Sequence, residues 1–236
     1  MSTQPSSLGV LVVVPALSAV MTALAVVAVA RARSWRAAAA FAAAASVWIA
    51  AWGALAAAGV LGRVDARPPP MALMIPLVLA MALGLGLSSL GGSVAERVPL
   101  GAIVLAQAFR LPLELAMHRA GADGLMPVEL SFSGYNFDVL TGALSLVVGP
   151  LALRGSAPRW ALVAWNAVGI AALSAIVVIA VASSPMLRLF GDDPRHVNTW
   201  VTRVPYVWLP TVLVVIAVAS HVVATRRLLA DRARAR

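Results

Sequence analysis

The stretch QAFRLPLELAMH places Gln107, Arg110, Glu114 and His118 at offsets 0, 3, 7 and 11. At about 100° per residue these positions fall near 0°, 300°, 340° and 20°, so a helix here carries one polar stripe about 80° wide. A second stretch, SFSGYNFDVLTGALS, sets Asp138, Thr141 and Ser145 at i, i+3 and i+7 on one helix face, with Tyr135 and Asn136 just before them. If the two segments run antiparallel, Glu114 and Asp138 lie at similar depth. Arg110 then sits below them, and His118, Asn136 and Tyr135 sit above. Two carboxylates sharing one guanidinium leave one negative charge in excess, a balance that binds a proton or a cation. On this reading Arg110 pairs with an acidic partner or holds an anionic group, Glu114 and Asp138 carry the exchangeable proton or cation, and Asn136, Tyr135 and His118 orient a ligand. Pro112 lies inside the first stretch, where it removes the backbone hydrogen bond to the Ala108 carbonyl and favours a kink beside the site.

Other chemistry is weaker or excluded. Glu114 and His118 are spaced i, i+4, and Asp138 or His196 could add a third ligand, but no H-E-x-x-H motif is present. A hydrogen-bonded pair is the preferred reading, and no metal is assigned. Asn166 and His221 read as helix-to-helix hydrogen-bonding residues away from the cluster. All 18 basic residues are arginine and the chain has no cysteine. The absence of lysine excludes retinal and pyridoxal Schiff bases, and the absence of cysteine excludes disulfides, thiolate metal sites and cysteine nucleophiles. There is no phosphate-cradling loop, G-x-S-x-G elbow or paired-aspartate transferase motif.

The elements that must position these residues are membrane helices. Of the 236 residues 61% are hydrophobic and 11% charged, against about 25% charge in soluble domains. A hydrocarbon core about 30 Å thick takes about 20 apolar residues of helix. Runs of suitable length predict seven spans at about 9–30, 37–60, 71–93, 99–118, 131–152, 160–183 and 205–225, in one integral membrane domain covering 1–236. The first span has no charge before it and is followed by Arg31, Arg33 and Arg36, the pattern of a retained helix rather than a signal peptide. With seven spans, eleven arginines fall on one side and six on the other, so the positive-inside rule predicts N-out and C-in. Residues 226–236 then form a basic cytoplasmic tail that can meet anionic headgroups, and nucleic acid is not an expected partner. Trp35, Trp160, Trp200 and Trp208 fall near predicted interfaces. The external connection over 184–204 could hold a short interfacial helix after Gly191-Asp192-Asp193-Pro194.

The fold class expected is therefore all-α, a seven-helix polytopic bundle in a bacterial cytoplasmic (inner) membrane. The segment QAFRLPLELAMHRAG…MPVELSFSGYNFDVLTG resembles a group of uncharacterised bacterial multi-pass membrane proteins with R-x-P-x-E, F-x-G-x-N-F-D and FP-x-VWLP-like segments. The matching positions are Arg110, Pro112 and Glu114; Phe132, Gly134, Asn136, Phe137 and Asp138; and Pro205, Val207, Trp208, Leu209 and Pro210. The resemblance covers roughly 104–225 and implies the same site without naming an activity. The likeness to microbial rhodopsins is one of helix number alone, and the absence of lysine argues against that family.

Three functions fit these residues. The first is a transporter-like or sensor-like protein holding a small ligand, proton or cation in a polar pocket near the outer face. The second is a membrane-embedded enzyme acting on a lipid or lipid-linked substrate, with Asp138 or Glu114 as general base. The third is a structural or assembly subunit in which the charges lock a helix pair.

Overall fold

The computed structural model describes residues 8–234, which form helices, turns and loops with no strand among them. Among the described residues nine α-helices follow in chain order: α1 Leu8–Ala32, α2 Trp35–Ala57, α3 Pro70–Leu87, α4 Ser89–Arg97, α5 Leu100–Ala106, α6 Arg110–Ala122, α7 Asp138–Leu153, α8 Arg159–Ala182 and α9 Val215–Arg234. A 3-10 turn at Gln107–Phe109 joins α5 to α6, and a π segment at Leu209–Val214 leads into α9. Six helical stretches are long and apolar enough to cross a membrane: Gly9–Ala32, Trp35–Ala57, Pro70–Leu87, Leu100–Ala122, Arg159–Ala182 and Leu209–Arg234. This architecture is consistent with a multi-pass integral membrane protein.

The fifth expected span, 131–152, differs from expectation. The helix begins at Asp138, not at residue 131, and its 16 residues extend about 24 Å at 1.5 Å per residue. Residues 131–137 are instead occupied by turns, held by Gly134 N–H to the Ser131 carbonyl and Tyr135 N–H to the Glu129 carbonyl. The third expected span, 71–93, is broken at Ser88. This residue is extended, and its Oγ accepts the Gly91 N–H to cap α4. The basic segment after 225 continues α9 through Arg234; residues 235–236 lie outside the described range. The 184–204 connection holds two 3-10 turns, Pro194–His196 and Trp200–Thr202, in place of an interfacial helix.

Trp35 and Trp160 are exposed, whereas Trp200 is buried and Trp208 packs partly buried against the core. Trp208 lies against Gly53 and donates Nε1–H to the Ile49 carbonyl at 3.2 Å, and Trp48 donates in turn to the Thr211 carbonyl at 2.7 Å. These bonds tie α2 to the π segment, where a free backbone carbonyl needs a donor.

Arginines gather where α1, α4 and α9 end and α8 begins, and most of them satisfy carbonyls left free by the ends of α1, α3 and α4. Arg97 donates to the Ala32 carbonyl, Arg226 to those of Gly86 and Ser88, Arg227 to those of Ala95 and Glu96, and Arg159 to that of Leu228. Between α5–α6 and α7, small residues set the geometry. A Cβ on Gly149 would lie 2.9 Å from Leu105 Cα, and one on Gly142 would lie 2.9 Å from the Leu111 backbone nitrogen. The α5–α6 and α7 backbones therefore approach as membrane helices do through small-residue faces.

Gly142→Leu should force these helices apart and destabilise the protein by about 1–3 kcal/mol, the usual cost of overpacking. Thermal unfolding in mild detergent reads this out, with Gly84→Leu as the control, because no atom lies within 4 Å of a Cβ at Gly84.

Candidate functional site

Pro112 cannot donate to the Ala108 carbonyl, and one turn earlier the helix tightens into the 3-10 turn at Gln107–Phe109. Arg110 is the first residue after this turn. Gly142, one helical turn beyond Asp138, lets the α6 backbone come close, so Arg110 reaches the start of α7 directly. Its Nη1 meets Asp138 Oδ1 at 2.5 Å in an ion pair whose residues are 1% and 5% exposed. A charge-assisted bond of this kind is stronger than a neutral one, and burial makes loss of either partner expensive.

Asn136 organises the rest. Its Nδ2 donates to Glu114 Oε1 at 2.7 Å and to the Leu130 carbonyl at 3.0 Å, while its Oδ1 accepts the Asp138 N–H at 3.0 Å. One amide side chain thus starts α7, anchors the turn before it and positions the second carboxylate. Glu114 is 1% exposed, like Arg110, so both carboxylates and the guanidinium share a water-poor layer.

Much of the hydrogen-bonding capacity in this layer is unused among the described residues. Arg110 Nε and Nη2, Glu114 Oε2, both amide atoms of Gln107, Thr141 Oγ1 and His221 Nε2 are all buried without a partner. His221 is a member that sequence reading set apart from the cluster. Its Nδ1 bonds Asn166 Oδ1 at 2.8 Å, and its ring occupies the space a Cβ on Gly169 would take, beside Thr141. Asn166 passes the contact on by donating Nδ2–H to Thr225 Oγ1 at 2.8 Å, and Trp165 donates to Ser145 Oγ at 2.8 Å. The signal in the sequence was the single glycine opposite the single histidine, which becomes readable only once α8 and α9 are paired.

The remaining expected site residues are distributed differently. Gln107 is fully buried in the 3-10 turn that leads into α6, the helix of Arg110 and Glu114. His118 turns to the loop, bonding Ser133 Oγ at 2.6 Å and stacking on Phe132 at 4.3 Å between centroids, so it does not join Glu114. Tyr135 is exposed and stacks on Phe190; it lies outside the cluster because the turn before Asn136 directs it outward. His196 pairs with Glu129 through Nδ1 and Oε1, linking the 3-10 turn Pro194–His196 to the 3-10 turn Val128–Leu130. No group of three metal-ligating side chains gathers among the described residues. In the same loop region the side-chain and backbone N–H groups of Arg195 pull the Asp193 carboxyl down to about 2, which keeps the turn ionised and internally paired.

Asn136→Ala should lower unfolding free energy by about 2–4 kcal/mol, because it leaves Glu114 Oε1 and the Asp138 N–H buried without partners. Tyr135→Ala, on an exposed side chain, should cost less than about 0.5 kcal/mol. Equal losses in a detergent unfolding assay would contradict this assignment of roles. Comparison of the chain with family models, with curated proteins and with solved structures returns no match.

Proposed function

We propose that the protein is a seven-span, N-out and C-in membrane protein whose Arg110–Asp138–Glu114 cluster binds a proton or small cation for transport or sensing. The observation that carries this reading is the composition of one buried layer. Arg110 is neutralised by Asp138, and Glu114 lies beside them with one oxygen unpartnered and no second cation paired to it. A proton or a small cation supplies the balancing charge and needs little room. Ionisable residues inside membranes generally face such sites because their placement costs about 2.5–3.5 kcal/mol each on insertion scales.

A structural ion pair accounts for Arg110, Asp138 and the Asn136 bond to Glu114 Oε1, but leaves the Glu114 charge and Oε2 without a partner. An enzyme acting on lipid needs an approach to Asp138 or Glu114, and both are buried. The kinship suggested by R-x-P-x-E and F-x-G-x-N-F-D fits the same residues, since Asn136 joins the two segments.

Several observations favour an odd number of crossings. Arg97 at the end of α4 touches the last turn of α1, Arg227 in α9 touches the end of α4, and Arg159 at the start of α8 touches α9. These four termini share one side. Gly101, at the start of α5, packs on Leu153, at the end of α7, which fits a crossing α7. The arginine count then favours that side as cytoplasmic.

Glu114→Gln in proteoliposomes carrying a pH-sensitive dye should abolish proton or cation-linked uptake while leaving the unfolding temperature within a few degrees of wild type. Arg110→Met should cost about 3–5 kcal/mol by leaving Asp138 unpaired, and Arg110→Met with Asp138→Leu should recover most of that stability but not the uptake. Recovery of both would establish a purely structural pair. Topology is tested separately, because the cysteine-free chain allows single-cysteine labelling. Asp192→Cys should react from outside, and Ser156→Cys only after permeabilisation.

A further inference from the structure

Away from the polar cluster, a groove of about 690 Å³ runs between α1, α4, α5 and α9. That volume lies within the range of about 300–1,000 Å³ typical of small-molecule sites. The groove follows α1 from Leu17 to Arg31, a rise of about 21 Å at 1.5 Å per residue, and reaches Ala102 and Phe109 on α5 and its following turn. One leaflet of hydrocarbon is about 15 Å deep, so the groove covers a leaflet and reaches its headgroup layer. Its lining is apolar apart from Ser220 and one charged residue, Arg31, at the end of α1. Arg31 is exposed and has no ion pair or hydrogen bond among the described residues, whereas its neighbours are engaged, Arg33 with Ser93 and Arg97 with Ala32.

An apolar channel one leaflet deep with a free guanidinium at its rim has the amphiphilic shape of an anionic glycerophospholipid. We infer that this groove is a specific lipid site, holding an acyl chain against α1, α5 and α9 and the lipid phosphate on Arg31. Arginine suits this role because its planar fork reads phosphate oxygens in pairs. The apolar lining supplies affinity by burying methylene groups, about 0.8 kcal/mol each when fully removed from water. Arg31 selects for charge and fixes depth. In the N-out orientation proposed above, the headgroup lies in the cytoplasmic leaflet, where anionic lipid attracts basic residues near the surface.

The test uses full-length protein incubated in detergent with equal amounts of phosphatidylglycerol and phosphatidylcholine, washed free of loose lipid, and examined by native mass spectrometry. Wild type should retain about one phosphatidylglycerol per chain. Ala25→Trp, which fills the groove from α1, should lose it, and Arg31→Gln should reduce retention at least fivefold and abolish the preference over phosphatidylcholine. Wild type that retains no lipid, retention indifferent to headgroup, or a dimer that covers the groove in place of lipid would each overturn the proposal. Should Ala25→Trp melt early, Arg31→Gln at the exposed rim decides the matter alone. Proton uptake plays no part in this measurement, so its outcome is independent of the role assigned to Glu114.

Discussion

A guanidinium held almost entirely out of water between two apolar helices is stable only if its charge is met, and Arg110 sets that condition for this molecule. In the membrane interior the alternative partner, bulk water, is missing, so the requirement falls on neighbouring residues. Asp138 meets the charge. For it to do so the α6 and α7 backbones must come unusually close, and Gly142 provides that approach. Asp138 must also begin a helix, and Asn136 accepts its backbone N–H. Because Asn136 holds Glu114 with its other end, the second carboxylate is drawn into the same layer. Pro112, the 3-10 turn and the loop over 131–137 can all be understood from this one demand.

The same residue type solves a different problem at the opposite end. Helices that end near one another leave carbonyls without donors, and long arginines reach across to supply them. Arg97, Arg159, Arg226 and Arg227 each bond the backbone of another element. Arg226 bridges the break at Ser88, so the discontinuity between α3 and α4 is closed by a side chain of α9. The basic character of this chain thus has a structural use beyond orientation in a membrane, and charge count alone does not separate the two.

Large apolar side chains are exposed along the outward faces of α1, α3, α7 and α8, among them Val12, Leu73, Val147 and Val178. In water such surface would drive association, whereas against lipid it is ordinary. Tight packing is carried instead by glycine and by inward-facing aromatic residues, as membrane helices gain little from burying apolar surface against one another. Trp208 on Gly53 and the His221 ring in the space opposite Gly169 are two instances.

Six apolar helical stretches and the polar stripe of Gln107, Arg110 and Glu114 were legible in the sequence, because hydropathy and the 100° helical step depend only on residues near one another in the chain. So was the helix-to-helix role of Asn166, which follows from an amide in an apolar segment, whereas α6 runs unbroken through Pro112 and the irregularity lies before it, at Gln107–Phe109. The tertiary structure decided the partners. It placed Asp138 on Arg110 and Glu114 on Asn136, sent His118 to Ser133 and Tyr135 to the surface, paired His196 with Glu129, and brought His221 beside the cluster. Each of these depends on the rotation of one helix against another and on the path of the loop over 131–137. Contacts between residues distant in sequence, above all the close approach allowed by Gly142, fix both, and no local periodicity encodes that approach.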